Sequence, residues 1–445
     1  MIALRRLYLR AAVLFVAVFC EVAHVRASDV AANDANSGSI FGYVKAMYVV
    51  DDKKGGRFNQ STPGFGGKIG GETAEFDGFR LKGALYTTSD LGLRSSNPKQ
   101  TDTYMFDLDK RPYSLLGEAQ FQYRGWKTML TAGRQEFLSP IINTYDYRII
   151  PNLFEAYTLT NRDVANTTLT LSYVSKMSGL DGLVSFSEFR SMSQQAYTSL
   201  LVTPNGTIDA SAGDTLVPSS VVGYKGVWVI GAGYENTHKF QLWNYYGTDT
   251  LNTLYVDGQF KQQVSRDFSS TMDMQAYRVC AVGRFKDYLS QHGLNASYAL
   301  YGIKGSLAHK PSGVSVSLAF NRFTGNEKTV TAYGNWGGYP EFVSMPYMYA
   351  ENSSVSAIAN AQLARLTMLL DLEPYGFKDQ SLLLGHARIN IDESILPGSD
   401  THMSTALYRV KLSTKLSARV AFEARDSGKS RYDNEFLAIG MRYDF

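Results

Sequence analysis

Apolar and polar residues alternate along most of this chain, and a period of two restricts what it can become. At the C-terminus Leu437, Ile439, Met441, Tyr443 and Phe445 are apolar, while Ala438, Gly440, Arg442 and Asp444 are small or charged. Successive side chains of a strand point to opposite faces, so such a segment has one oily face and one wet face. The pattern recurs over residues 40–48, 79–86, 406–413 and 419–425. Strand-like runs also cover 117–123, 167–174, 227–234, 239–246, 294–301, 314–320 and 381–391. Residues 357–372 have apolar positions at mixed spacing and read as a helix, a strand or a strand pair.

After the N-terminus no stretch reaches eighteen consecutive apolar residues, so no helix is expected to span a membrane. A mean hydropathy of −0.19 over 445 residues would by itself describe a soluble protein. A soluble β-sandwich is therefore the first alternative, but a chain of this length would divide into domains of about 100 residues joined by linkers. No Pro/Ser-rich linker interrupts this sequence. Continuous alternation under low average hydropathy is instead the pattern of a membrane barrel, whose closed sheet pairs every backbone group in lipid.

Residues 1–27 read as an export signal: Arg5, Arg6 and Arg10, then the apolar run Ala11–Cys20, then Val25-Arg26-Ala27 before the cut. Residues 28–445 are then a single domain. The whole chain has 44 Lys+Arg and 41 Asp+Glu. The signal contains four of the arginines and Glu21, so the remainder is neutral and bulk charge gives no reason to expect a nucleic-acid partner. Only Cys280 stays after cleavage, which excludes an internal disulfide. The five remaining histidines lack metal-ligand spacing, so no metal and no cofactor are expected. Gly64, Gly66, Gly67, Gly70 and Gly71 do not make a phosphate-binding loop and read as an external loop within 51–73. Other long connections are expected at 89–112, 138–152, 204–220 and 324–352.

A spanning strand with its share of turn and loop takes about 23 residues, which predicts an all-β transmembrane antiparallel barrel of about 18 strands, with 16 as the even-numbered neighbour. Such a barrel is too wide to be filled by wall side chains and leaves an aqueous channel. Parity then places Lys45, Arg80, Lys82, Arg409, Lys411, Lys415, Arg419, Arg425 and Arg442 on the lumenal face. The opposite parity would put cations against lipid at about 2–4 kcal/mol each near the midplane. Closure makes the first and last strands neighbours, so the nine cations would form one wall suited to anionic groups, Arg binding carboxylates bidentately. The alternative is that they keep the channel wet and pair with Glu423 and Asp444.

The ending Met441-Arg442-Tyr443-Asp444-Phe445 resembles the terminal strand of bacterial outer-membrane barrels, whose aromatic last residue is read by the assembly machinery. A narrower resemblance rests on Gly133-Arg134-Gln135, Pro140, Asp146-Tyr147-Arg148-Ile149-Ile150-Pro151 and Phe154-Glu155, flanked by Gly117-Glu118-Ala119 and Thr160-Asn161-Arg162. These residues, with the region 73–91, are similar to the segment around the third loop of the OprD-type family of substrate-selective porins. The likeness covers residues 38–175. It implies an 18-stranded channel, monomeric or trimeric, with long external loops and a constriction loop folded into the lumen, passing small solutes, commonly carboxylates, along a basic ladder.

In that loop Asn143, Tyr145, Asp146 and Arg148 would line the constriction, Asp146 as a charge filter and Arg148 as a carboxylate contact. Equally, Asp146 and Arg148 would pin the loop to the wall, and Arg134 would be a structural partner of it. No nucleophile elbow is present, so no catalytic residue is expected. The expected function is a bacterial outer-membrane porin, a passive and partly selective diffusion channel for small polar or anionic solutes, surrounded by outer-membrane lipid. An adhesin or structural barrel, and a barrel hydrolase, are the alternatives.

Overall fold

The computed structural model describes residues 38–445 except 56–57, 103–104, 180–184, 196–217, 332–335, 346–358, 393–399 and 428–432. Residues 1–27, the expected signal, lie outside the described residues, as does most of the expected connection at 204–220. Eighteen strands close into one antiparallel barrel. The first nine are β1 Ser39–Lys53, β2 Gln60–Glu72, β3 Phe79–Ser89, β4 Ser114–Gly125, β5 Thr128–Gln135, β6 Leu153–Asn161, β7 Thr167–Ser178, β8 Val227–Glu235 and β9 Lys239–Gly247. The others are β10 Leu251–Gln263, β11 Phe268–Ala281, β12 Ser297–His309, β13 Val314–Phe323, β14 Gln362–Asp371, β15 Gln380–Asn390, β16 Thr401–Lys411, β17 Leu416–Ser427 and β18 Asn434–Asp444. Each strand pairs with its sequence neighbours, and β18 pairs with β1 from Tyr43↔Asp444 to Lys53↔Asn434.

The long connections all lie at one end of the barrel. The opposite end has only short turns, from Trp126-Lys127 to residues 372–379, and holds both termini of the described chain. The long-loop end carries loops 90–113, 136–152, 179–226 and 324–361. Of residues 357–372, those described, from 359 on, are the approach to β14 and the strand itself. The expected loop at 51–73 is a correction: β1 runs through Lys53, and the glycine-rich stretch is β2. A Cβ on Gly67 would lie 2.0 Å from the Tyr43 carbonyl oxygen, and one on Gly66 would lie 2.1 Å from that of Thr87. Those glycines let three strands approach closely, a role that leaves no hydrophobic alternation to read.

The outer face is apolar and exposed, with Leu318 63% and Ile230 60% accessible. Aromatic clusters border this band: Phe79 with Phe121 and Tyr123 near the short-turn end, at 5.5 and 4.7 Å, and Tyr173 with Trp228 near the other, at 4.8 Å. Aromatic girdles at both interfaces are characteristic of barrels in lipid. Inside the barrel lies something the wet-lumen expectation did not include. Loops fold inward and build two dry clusters against the wall. Phe137, Ile141 and Ile142 pack with Phe154, Met177, Tyr245 and Trp336, while Ile149 and Ile150 pack with Tyr86, Met105, Phe106 and Leu115.

Asp107 ties loop 90–113 to loop 179–226. The Ser187 hydroxyl (2.6 Å) and the backbone N–H of Phe186 and of Leu108 (both 2.7 Å) donate to its carboxylate, as does the Ser185 hydroxyl. Burial alone would raise the Asp107 pKa, but these donors outweigh it and hold the carboxyl below the ordinary aspartate value.

Two outcomes test this architecture. Leu318→Arg, on the oily face, should lower unfolding stability in phospholipid vesicles by about 2–4 kcal/mol if near the midplane. Ser317→Arg, one residue away and inward, should not. Because the Asp107 pKa is depressed on folding, its contribution is complete above the unfolded value of about 3.9 and is lost as pH falls through the lower folded value. Single-channel current noise should therefore rise as pH falls below about 4, and Asp107→Ala should show that noise at neutral pH.

Candidate functional site: the constricted lumen

Loop 136–152 crosses the barrel interior, and the seam between β18 and β1 holds its tip. Lys45 on β1 and Arg442 on β18 are register partners, and Asp146 is ion-paired to both, at 2.5 Å from Arg442. Three further contacts grip the backbone that follows. Lys45 Nζ donates to the Arg148 carbonyl (2.8 Å), the Tyr43 hydroxyl to that of Ile149 (3.0 Å), and Arg419 to that of Tyr147 (2.6 Å). Gly440 makes room for the last: where its Cβ would be, Arg419 Nε lies 3.4 Å away.

The loop's other side is braced by residues 336–345 of loop 324–361. The Asn143 N–H donates to the Trp336 carbonyl and the Gly338 N–H to that of Ile141, each at 2.9 Å. Arg365 on β14 anchors this second loop through the Ser344 carbonyl. The Tyr145 ring packs against Tyr147 and Tyr339, at 4.9 and 5.3 Å. Asn143 accepts from the Tyr145 N–H at 2.9 Å and donates to Ser139.

The structure places eight of the nine expected wall cations on inward positions of five strands that flank the seam: Lys45 on β1, Arg80 and Lys82 on β3, Arg409 and Lys411 on β16, Arg419 and Arg425 on β17, and Arg442 on β18. Lys415 is a correction: it sits in the turn after β16, where the strand has ended. The cations also differ in how they are neutralised. Arg80 pairs with Glu72 at 3.3 Å and Lys82 with the buried Glu118 at 2.7 Å. Arg442 has Asp444 at 2.7 Å as well as Asp146. Among the described residues, Arg409 and Lys411 have no carboxylate within 4 Å.

Arg148 is placed as the loop-pinning alternative expects. It is 2% exposed, bonded to Asn152 at 3.3 Å and set 5.4 Å over the Phe186 ring, so it fixes the loop from behind and presents nothing to a solute. Arg134 lies on the outward parity of β5, donating to the Leu116 carbonyl at 3.1 Å and lying 4.5 Å over the Phe189 ring. Its neighbour Gly133 has φ of 116°, and a Cβ there would meet the Ala119 carbonyl oxygen at 2.2 Å. Pro151 is buried where the loop rejoins β6.

Parity reading missed Lys68, which pairs with Glu118 and Glu136 at 3.0 and 2.9 Å, because it stands among glycines. It also passed over the wall across from the cations. There Asp257 accepts from Gln241 and Tyr255 (2.6 and 2.7 Å), Asp273 pairs with Lys304 (3.2 Å), and Glu341 accepts from Tyr277 (2.7 Å). Alternation around Lys304, between Ile303 and Gly305, would have located part of it. Two cavities flank the loop tip. One of about 520 Å³ is lined by Lys45, Arg409, Lys411, Arg419 and Arg442 and by the acidic residues Asp146, Asp371, Glu373 and Asp379, among others; the other, of about 670 Å³, by Tyr145, Tyr339, Trp243, Asp257 and Glu341 among others.

The lumen is thus narrowed by an inward loop with a cavity on either side of its tip. A family model described as outer membrane porin, OprD family, matches residues 78–353. The chain belongs to the OprD family. It is thus an OprD-family porin of the bacterial outer membrane, in contact with outer-membrane lipid. Solved OprD-like structures resemble it along nearly their whole length. OccK9 (OpdG) of Pseudomonas aeruginosa is 14% identical, with 92% of this chain and 98% of that one aligned at a TM-score of 0.72. A BenF-like porin from Pseudomonas fluorescens Pf-5 is 12% identical at the same coverage and TM-score. Pseudomonas aeruginosa OpdK, solved with vanillate, is 12% identical, with 92% and 98% aligned at 0.69. At such identities the likeness is one of fold. No curated protein matches the sequence.

Because Arg148 is a buried brace, Arg148→Ala should cost about 1–3 kcal/mol of stability through the partners it leaves unpaired. It should leave the reversal potential in a KCl gradient unchanged, a combination that a solute-contacting arginine would not give.

Proposed function

We propose that this porin is a passive diffusion channel for small hydrophilic solutes that favours those bearing a carboxylate. The observation that carries the reading is the pair Arg409 and Lys411, inward on β16 and exposed to the passage beside Arg419. Arg409 is the direct register partner of Arg419, and Lys411 faces Ser417, which in turn faces Arg442. An anion moving along the strands therefore meets cations about 7 Å apart, two residues per step. Spacing of this kind supports entry without trapping, since each site binds weakly enough to release.

Next to these cations the lumenal face carries Leu369, Leu383 and Leu407, consecutive register partners across β14, β15 and β16. Leu407 is buried in the inner apolar cluster with Leu383 packed against it, so Leu369, 40% exposed, is the one that offers an apolar surface to the body of a solute whose carboxylate is on the ladder. The vanillate in the OpdK structure is a solute of that type. Residues 1–27 act as the cleaved export signal, and the lipid-facing Phe445, closing the last strand, serves as the recognition residue for barrel assembly.

Purified protein in planar bilayers should give stable conductance steps; none across refolding conditions would remove the channel reading. Replacing Arg409, Lys411 and Arg419 together by Gln should shift the reversal potential in a salt gradient toward cation preference. An unchanged potential would show that the wall does not select.

A further inference from the structure

Resting on the carboxylate-channel reading, we infer that Asp146 is a built-in stand-in for the solute's carboxylate, and that an anionic solute passes the constriction by exchanging with it on Lys45 and Arg442. The geometry around Asp146 supports this. Its two oxygens are divided between the two cations, one to Lys45 and the other to Arg442. Both cations also line the 520 Å³ cavity that contains Arg409, Lys411 and Arg419. Lys45 is 4% exposed, so it is poorly placed to be left without a counter-charge, whereas Asp146 is 37% exposed in its side chain and borders open space.

Charge balance explains why an exchange suits a channel better than an empty cationic pocket. A buried ammonium without a partner costs several kcal/mol in lost hydration, and an arriving carboxylate would recover that cost and become trapped. With Asp146 in place the cations are already compensated. A solute carboxylate that displaces it gains one set of charge-assisted hydrogen bonds while the loop loses an equal one, so the step is nearly balanced and easily reversed. The loop need not leave. Tyr147, Arg148 and Ile149 remain held through backbone carbonyls by Arg419, Lys45 and Tyr43, contacts that do not depend on the Asp146 side chain. Swinging of one side chain is enough.

Arg409 and Lys411 then act as the waiting position. Each is separated by one intervening strand from the seam residues: Arg409 through Arg419 to Gly440, and Lys411 through Ser417 to Arg442. A carboxylate held on Lys411 is two strand spacings, about 9–10 Å, from Arg442, with only the small Ser417 between them. Asp146 thereby sets specificity by competition, since a neutral solute has nothing with which to displace it.

The test measures binding directly, so it does not depend on conduction. Titration calorimetry with detergent-solubilised full-length protein would compare benzoate with its neutral counterpart benzamide. Asp146→Asn, which keeps the side chain's shape and removes its charge, should tighten benzoate binding at least tenfold and leave benzamide unchanged. Asp146→Ser is the second variant should the first fold poorly. Tyr43→Phe loosens the same loop without altering any charge at neutral pH and should leave benzoate affinity as it is. Equal tightening in Asp146→Asn and Tyr43→Phe would assign the effect to loop displacement and overturn the exchange. Unchanged benzoate affinity in both Asp146 variants would overturn it too. Failure of the channel reading itself would show elsewhere, as absence of conductance in the wild-type protein.

Discussion

A strand exposed to lipid must find partners for all its backbone N–H and C=O groups, and only closure of the sheet provides them. The rest of this molecule follows from that seam. Pairing of β18 with β1 puts Lys45 opposite Arg442, residues near opposite ends of the chain, and Asp146 needs both. An open sheet of the same strands would have neither the cationic seat nor the anchor for the constriction loop. The electrostatics of the pore are therefore a consequence of topology. No local motif encodes them, and the contributing residues come together only when the last strand has docked on the first.

The second constraint is width. Eighteen strands enclose more space than their own inward side chains can fill, and the loops at one end use it. They bring Phe137, Ile141, Ile142, Ile149, Ile150, Met105 and Phe106 into the barrel and bury them against inward residues such as Tyr86 and Phe154. Ordinary hydrophobic packing thus positions a polar constriction: the oily flanks of loop 136–152 hold it, and its charged tip is left to face water. Without those flanks the ion pairs of Asp146, partly solvent-screened, would give little rigidity.

How much of this could be read from the sequence depends on which physical rule was in force. Strand parity is rigid, so alternation alone assigned Lys45, Arg80, Lys82, Arg409, Lys411, Arg419, Arg425 and Arg442 to the faces they occupy. It failed where its signal is absent. In β2 glycine stands at Gly66, Gly67 and Gly70 because neighbouring backbones and rings come too close for a Cβ, and the strand reads as a loop. Lys415 was carried past the end of its strand, where parity has no meaning. Arg148 and Asp146 are two apart in a loop without period, and only the packing of Phe186 and Asn152 shows that one faces inward and the other the passage.

Counting cations on the wall also overstated the field, since their partners come from other strands and from the loop. Glu118 answers Lys68 and Lys82 together, Glu72 answers Arg80, and Asp146 answers Lys45 and Arg442. On the β1–β3 side each of these cations is compensated, and the loop lies over that side. On β16 Arg409 and Lys411 have no carboxylate within 4 Å among the described residues, and the cavity they line also holds Asp371, Glu373 and Asp379. The acidic groups Asp257, Asp273 and Glu341 belong to β10, β11 and the second inward loop, farther around the wall. Cations without a carboxylate in direct contact thus stand where the loop does not cover the wall, with Asp371, Glu373 and Asp379 bordering the same cavity.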